Sequence, residues 1–220
     1  MSVPITTHDD GAVRITKLGP MGPMGNNAYI VRDLGAGESL LVDMPLDEQP
    51  LLDALAADGN VRQVVATHWH PDHWMTYGAV RAATGAPVLV GDREERIPEE
   101  RIDRRVADGE EILLGSTRIS VLHTPGHTVG SICLRIGRCL ISGDTLFDGG
   151  PGRTSAPGDL ETLVASITGR LHPLPDNTVV LPGHGADTTI GESRRRFEVY
   201  RTHPHPAGYH GDVDWLVGSG

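Results

Sequence analysis

The amino-acid sequence predicts an α/β fold in which two β-sheets pack against each other and helices cover their outer faces. Short apolar runs typical of strands fall into two groups along the 220 residues, and each group is followed by segments with the apolar spacing of helices. Glycine and proline separate these runs, as they do at turns between strands. This order of elements fits two packed sheets with helices outside, so residues at the strand ends are candidates for a ligand site.

The first half of the chain supplies the first group of strands. Residues 13–18 alternate as a strand does, whereas the Gly/Pro-dense residues 19–25 are predicted to be neither helix nor central strand. The next elements are predicted as a hairpin of residues 28–31 and 39–42, a helix over 47–57, a strand over 61–66, a helix over 72–83 and a strand over 87–90. We interpret the charged residues 92–105 as a solvated helical face or loop.

The second half of the chain mirrors the first. Its elements are predicted as strands over residues 112–114, 118–122, 132–136 and 139–141, a helix over 160–171, a strand over 178–181 and a helix over 187–202. Residues 1–10 and about 203–220 are predicted to be tails of a single domain.

The charge balance narrows the classes of partner. The chain has 29 acidic and 19 basic residues, a formal charge of −10, which disfavours nucleic-acid binding. The N-terminus has no pattern of a secretory signal, and no apolar run approaches the roughly 20 residues of a membrane span. We therefore expect a cytoplasmic protein with no membrane partner and with Cys133 and Cys139 as reduced thiols. A homodimer is compatible with the sequence, which does not fix the oligomeric state.

The segment Thr67-His68-Trp69-His70-Pro71-Asp72-His73 is the strongest functional signal in the sequence. It places three imidazoles and a carboxylate directly after the predicted strand over residues 61–66. A histidine-rich surface tract is the alternative interpretation, but the apolar residues 64–66 before the cluster disfavour it. The pattern therefore predicts a metal site at a strand end.

Three further apolar runs end on a ligand-type residue beside glycine or proline, namely His127, Asp144 and His184. With the cluster, the predicted ligands are His68, His70, Asp72, His73, His127, Asp144 and His184. Seven ligands are too many for one four-coordinate ion, but they suit two neighbouring ions that share a carboxylate. Imidazole and carboxylate without thiolate favour two Zn²⁺, with Fe or Mn as alternatives.

These motifs resemble those of the metallo-β-lactamase superfamily, and the resemblance covers about residues 11–195. It implies a four-layer αββα sandwich of two mixed β-sheets. It also implies the distribution of the ligands: His68, His70 and His127 on one metal, Asp72, His73 and His184 on the other, and Asp144 between them. Asp43, which ends the run Leu40-Leu41-Val42, would orient a ligand imidazole.

Within the superfamily, the sequence motifs resemble those of the glyoxalase II-like branch. The segments that carry this resemblance are His123-Thr124-Pro125-Gly126-His127, Ser142-Gly143-Asp144-Thr145 and Leu181-Pro182-Gly183-His184-Gly185. The chain departs from that branch at Trp74 and Ser155, and only 28 residues follow Glu192. The C-terminal helical domain that holds glutathione in true glyoxalase II is therefore not expected here.

The resemblance implies hydrolysis of a thioester, ester or lactone of a small molecule. Two metals would lower the pKa of a bridging water toward about 7 and polarise the substrate carbonyl. Asp72 is the candidate catalytic residue, because it would hold or accept the proton of that water. Candidate substrate-binding residues are Trp69, Trp74, Tyr77, Met21 and Met24 in an apolar pocket and Arg153 at an anionic group, with packing and an ordinary salt bridge as the alternatives.

Other activities remain open on the same scaffold. A mononuclear iron persulfide dioxygenase would hold a single iron by two histidines and one aspartate. A non-catalytic metal-binding module is the alternative outside enzymes. A secreted β-lactamase or a nuclease is disfavoured by the predicted absence of a signal peptide and by the acidic charge.

Overall fold

A computed structural model describes residues 3–215 of the protein. The helices are α1 Glu48–Asp58, α2 Tyr77–Thr84, α3 Pro157–Ser166 and α4 Ile190–Thr202, with a π-helical turn at Ile167–Leu171 and 3₁₀ turns at Pro71–His73 and Glu99–Arg101. The strands are β1 Ile5–Asp10, β2 Val13–Met21, β3 Asn26–Asp33, β4 Glu38–Val42, β5 Val61–Ala66, β6 Val88–Gly91, β7 Arg104–Val106, β8 Glu111–Leu114, β9 Thr117–His123, β10 Ile132–Ile136, β11 Cys139–Gly143, β12 Val179–Pro182 and β13 Thr188–Thr189.

The strands form two mixed sheets. One has seven strands in the order β1-β2-β3-β4-β5-β6-β7, antiparallel up to β4 and parallel from β4 onward. The other has six strands in the order β13-β12-β11-β10-β9-β8, in which only β11 and β12 run parallel. The prediction of two mixed sheets is confirmed.

Side-chain alternation along single strands produces the four layers. In β4, Leu40 and Val42 belong to the core between the sheets, whereas Leu41 belongs to the core under α1 and α2. Successive side chains of a strand point to opposite faces, so one strand can supply both cores. A third core packs α3 and α4 against the other sheet, with Leu163 and Ile190 among its buried residues. Helices therefore cover the outer faces of both sheets, as predicted.

The parallel pairs bring the predicted ligands to one edge. Asp43 follows the last residue of β4, and His68 lies two residues after the end of its neighbour β5. Asp144 follows β11, and His184 lies two residues after the end of its parallel neighbour β12. Carboxyl ends of parallel strands meet at the same edge of a sheet, which is where ligands bind in such folds.

The two tails are a correction to the sequence prediction. Residues 5–10 form β1, which pairs antiparallel with β2; the polar sequence of this edge strand carries no alternation that predicts it. At the other end, Val213 and Trp215 are buried with α3 and α4, because Trp215 packs on Phe197 with ring centroids 5.1 Å apart. The parts of the predicted tails at residues 1–2 and 216–220 lie outside the described residues.

Three local predictions also differ from the structure. Strand β2 continues through residues 19–21 with a register shift between Leu18 and Met21, because an irregular pairing accommodates glycine and proline. The helix predicted over residues 72–83 begins only at Tyr77, after the 3₁₀ turn. The charged block contains the short strand β7 and one buried carboxylate, Glu94.

Over residues 3–215, no helix has both the length and the apolar character to cross a bilayer.

Candidate metal centre

Four loops at the shared edge of the sheets position the predicted ligands. The loop after β5 carries His68, His70, Asp72 and His73, and its 3₁₀ turn folds the last two residues back toward the first. The buried Trp74 fixes this turn, since its indole N–H donates to the His68 carbonyl at 2.7 Å. The other loops, after β9, β11 and β12, carry His127, Asp144 and His184.

One group of imidazoles consists of His68, His70 and His127. The Nδ1 atom of His70 lies 2.7 Å from Nε2 of His127, and that Nε2 lies 3.2 Å from Nε2 of His68. One ligand atom from each residue lies within 4.8 Å of the others, so the group could hold a metal ion. The three nitrogens come from loops of two different sheets, so the packing of the sheets brings them together.

A second group consists of Asp72, His73 and His184. The Nε2 atom of His184 lies 3.3 Å from Oδ2 of Asp72 and 3.3 Å from Nε2 of His73. These three residues could also hold a metal ion. One carboxylate and two imidazoles are a donor set that suits Zn²⁺, Fe or Mn.

Asp144 lies between the two groups. Its Oδ2 is 3.6 Å from Nε2 of His127 in the first group and 3.5 Å from Nε2 of His184 in the second. Its Oδ1 is buried and accepts no hydrogen bond from any residue in the described range 3–215. A buried carboxylate oxygen normally has a partner, so this oxygen, together with the surrounding imidazoles, fits a bound cation.

Hydrogen bonds on the outer side of the site orient the imidazoles. The Nδ1 atom of His73 lies 2.8 Å from Asp43 Oδ2. That of His127 lies 2.7 Å from the Arg153 carbonyl, and that of His184 lies 2.9 Å from the Met24 carbonyl. These acceptors place the proton on Nδ1 and leave the Nε2 lone pair free to face the centre. Asp43 therefore contacts the outer nitrogen of His73, and the orienting role that the family resemblance implies for it stays a prediction.

Charge and burial act in opposite directions on the imidazoles. Burial lowers the pKa of His70 to about 4, so this imidazole is neutral at pH 7. Burial alone would also lower the pKa of His184, but its hydrogen bonds to Asp144 and Asp72 raise it to about 10. The two carboxylates thus favour positive charge beside them, which a divalent cation supplies.

Asn26 is part of the site but was missed in the sequence. Its Nδ2 donates to Asp72 Oδ2 at 2.9 Å and lies 3.3 Å from Nε2 of His184. Its backbone also pairs with His184 as an isolated bridge. The side chain is buried, but an asparagine at the start of a strand carries no sequence signal of this role.

Glu94 is the second residue that the sequence analysis missed. Its buried carboxylate accepts hydrogen bonds from the backbone N–H groups of Arg96 and Trp69 and from the Thr128 hydroxyl at 2.9 Å. Burial raises the pKa of Glu94. Trp69 lies between two predicted ligands and Thr128 follows a third, so Glu94 connects two ligand loops.

The predicted substrate residues have different surroundings. The Trp69 ring lies 4.4 Å, between centroids, from that of His70, and the half-buried Tyr77 lies against Arg101. Trp74 is buried in the core, as is Met21, whereas Met24 is exposed. The exposed Arg153 lies in a shallow cavity of about 260 Å³ that Phe147 also lines, 3.9 Å from Asp212. Of the predicted aromatic residues, Trp69 therefore has the most direct contact with the centre.

The chain is similar in sequence and in fold to several known proteins. A hydroxyacylglutathione hydrolase of Polaromonas sp. is 40% identical over 165 residues, which are 72% of this chain and 62% of that protein. The solved structure of ETHE1 from Myxococcus xanthus is 28% identical with a TM-score of 0.73, covering 91% of this chain and 86% of its own. TTHA1623, solved in a di-iron-bound form, is 30% identical with a TM-score of 0.68, covering 80% of this chain and 95% of its own.

The match to the hydrolase leaves more than a third of that relative outside the aligned part. A family model covers most of the present chain, however. The model described as Metallo-beta-lactamase superfamily matches residues 21–184, the range that contains all seven predicted ligands. With the αββα architecture, this match shows that the chain belongs to the metallo-β-lactamase superfamily.

Proposed function

We propose that this protein is a metal-dependent hydrolase that cleaves a thioester, ester or lactone bond in a small molecule. The observation that carries the proposal is the pair of three-residue groups that face each other across Asp144. The similarity to a protein named hydroxyacylglutathione hydrolase supports the reaction class. Because the chain spans 62% of that relative, its glutathione substrate is not carried over.

We assign the cation ligands as the resemblance to the superfamily implies. His68, His70 and His127 would hold one ion, Asp72, His73 and His184 would hold another, and Asp144 would contribute to both. Bound divalent cations, Zn²⁺ in our proposal, supply an activated water at neutral pH and polarise a carbonyl. Asp43 keeps His73 in the tautomer that can bind, because it accepts the Nδ1 proton.

Asp72 has the position of a group that orients water. Burial alone would raise its pKa, but hydrogen bonding to His184 and the charge of His73 lower it below the usual value. The carboxylate is therefore ionised at pH 7 and can accept a hydrogen bond from a water in the centre. Asn26 also holds the Asp72 side chain, because its Nδ2 donates to Oδ2 of Asp72 at 2.9 Å.

A second candidate function is an oxygenase that uses a single iron. His68, His73 and Asp144 form a further group that could hold a metal ion. Two histidines and one carboxylate with open positions are typical of non-haem Fe(II) oxygenases. A persulfide dioxygenase would belong to this class.

Elemental analysis of protein purified without added metal or an affinity tag separates the two candidates. The hydrolase predicts close to two zinc ions per chain, followed by turnover within a panel of thioesters, esters, lactones, phosphodiesters and a β-lactam. About one iron per chain, with oxygen consumed in the presence of a persulfide, would instead establish the oxygenase.

Variants of Asp72 test its role within the hydrolase. Asp72→Asn keeps an oxygen ligand but removes the charge, so we expect kcat to fall by about 100-fold or more while much of the metal is retained. Asp72→Ala should abolish turnover and leave the circular dichroism spectrum unchanged. Asp53→Asn, an exposed carboxylate on α1, is the matched control, and retained turnover in both Asp72 variants would remove this residue from the mechanism.

A further inference from the structure

A second cavity lies beside the metal centre and is not part of it. It measures about 400 Å³ and lies between the ligand loop after β5 and the charged loop after β6. Trp69, Met75 and Ile97 supply apolar surface, and Arg96 and Arg101 supply two guanidinium groups. A cavity of this size and mixed character suits part of a small ligand.

Trp69 connects the cavity to the centre. One side of its indole lies against the imidazole of His70, with 4.4 Å between the ring centroids, and the residue also lines the cavity. The cavity therefore begins about one aromatic ring away from a predicted metal ligand.

In the part of the chain that the structure describes, the guanidinium groups of Arg96 and Arg101 have no carboxylate partner. Arg96 Cζ lies 4.6 Å from the centroid of the Trp69 ring, and Arg101 Cζ lies 5.3 Å from that of Tyr77. Within residues 3–215, neither guanidinium has a carboxylate within salt-bridge distance, whereas the nearby Arg81 and Arg105 pair with Asp103 and Glu99. A guanidinium held by its face against an aromatic ring keeps its N–H edge available to an anion.

The loop that carries Arg96 is anchored from inside the protein. The buried Glu94 carboxylate accepts hydrogen bonds from the backbone N–H groups of Arg96 and Trp69. Arg105 donates to the Glu94 carbonyl at 2.7 Å. These bonds fix the backbone position of Arg96 relative to Trp69, so the cation and the aromatic wall are preorganised together.

We propose that this cavity binds the non-reacting part of the substrate, and that this part is an apolar chain or ring that carries an anionic group such as a carboxylate. The apolar body packs on Trp69, Met75 and Ile97. The anion accepts charge-assisted hydrogen bonds from Arg96 and Arg101. In a chain with a formal charge of −10, this pair of cations selects for such substrates against neutral ones. This assignment of the substrate class rests on the proposed hydrolase function.

Binding is tested first, because it does not depend on turnover. The probes are 3-phenylpropionate and its neutral analogue 3-phenylpropanamide, titrated calorimetrically into the metal-loaded protein. The double variant Arg96→Gln/Arg101→Gln should bind the carboxylate about 10-fold or more weakly and the amide with unchanged affinity. Arg93→Gln, an exposed arginine of the same loop that does not line the cavity, is the control and should bind both probes as the wild type does.

A carboxylate that bound only to the metal ions would lose no affinity in the double variant, and that result would overturn the proposal. An equal loss for the acid and the amide would also overturn it, because the arginines would then only support the shape of the cavity.

Turnover tests the same assignment at the reaction. Matched thioesters with a terminal carboxylate or a terminal methyl group are compared, with that group placed in either the acyl part or the thiol part. We expect the double variant to raise KM about 10-fold for one carboxylate substrate, with kcat nearly unchanged and the methyl analogues unaffected. If the wild-type protein cleaves none of these substrates, the hydrolase proposal fails, whereas the calorimetric result still decides the cavity.

Discussion

The Nδ1 atom of His73 lies 2.8 Å from Oδ2 of Asp43, and both side chains are buried. The same carboxylate accepts hydrogen bonds from the backbone N–H and the hydroxyl of Thr67, at 2.8 and 2.9 Å. Asp43 thereby joins the ends of β4 and β5 and orients a predicted ligand. It does so from a backbone conformation with φ of 61°, which asparagine and aspartate adopt more readily than most residues.

Asp43→Asn is the substitution that isolates this relationship, since asparagine keeps the size and tolerates the same φ. The uncharged amide is a weaker acceptor for the His73 proton, so we expect zinc affinity to fall by about 10- to 100-fold. Competition with a chromophoric chelator measures the change. Asp53→Asn should match the wild type, and an unchanged affinity in Asp43→Asn would mean that the position of His73 does not depend on this bond.

Replacement of Glu94 tests the connection between the ligand loops. Glu94→Ala leaves the Trp69 and Arg96 N–H groups and the Thr128 hydroxyl without their acceptor, so we expect the free energy of unfolding to fall by about 2–3 kcal/mol. Glu94→Gln retains one acceptor oxygen and should cost less. Urea denaturation measures both, with Glu95→Ala, an exposed neighbour, as the control; equal stability of the two alanine variants would contradict the connection.

His172 gives the protein a defined dependence on pH. Burial and the charge of Arg194 lower the pKa of His172 to about 4, and its Nε2 lies 2.9 Å from the Ser193 hydroxyl. Its pKa rises to about 6.5 on unfolding, so the unfolded chain takes up the proton first. The contribution of neutral His172 to the free energy of unfolding is therefore fully present above about pH 6.5 and is lost as the pH falls toward 4.

His172→Gln removes this titration and keeps a polar partner for Ser193. Between pH 7 and pH 5, we expect the wild type to lose about 1–2 kcal/mol more unfolding free energy than the variant, allowing for solvent screening. Urea denaturation at the two pH values gives the difference. Parallel losses in both proteins would show that protonation of His172 is not coupled to unfolding.

Trp215 tests the docking of the C-terminal segment. Its side chain is fully buried against Phe197 and His172, so Trp215→Ala should lower the unfolding free energy by about 3–5 kcal/mol. His210→Ala, an exposed position of the same segment, should leave it within about 0.5 kcal/mol. A thermal denaturation series would contradict the prediction if the two variants melted at the same temperature.

The strand ends and the ligand types were predictable from local sequence. Alternation in β9 and the apolar runs of β5 and β12 are typical of strands, and His68, Asp144 and His184 follow such runs. Each of these signals depends on neighbouring residues only, since period-2 burial acts within a single strand. The two-sheet architecture followed from the order of these elements.

Other features depend on contacts between distant segments. Strand β1 is polar and forms because β2 offers it backbone partners, and Trp215 is buried because α4 presents Phe197. Glu94 belongs to a charged run that predicts a solvated surface, yet its carboxylate meets Thr128, 34 residues away. A side chain of this kind is buried only where distant donors compensate the loss of water, and sequence spacing does not report such donors.

Strand pattern and residue chemistry are local properties, so the amino-acid sequence alone indicates which residues carry ligand-type atoms and that they follow strands. The partners of those atoms become visible only in the folded protein: Asp144 lies between two groups, Asn26 reaches Asp72, and Arg96 lies on Trp69. These relationships join segments from both sheets or from separate loops. They are fixed by the packing of the four layers, which brings together residues that no short stretch of sequence contains.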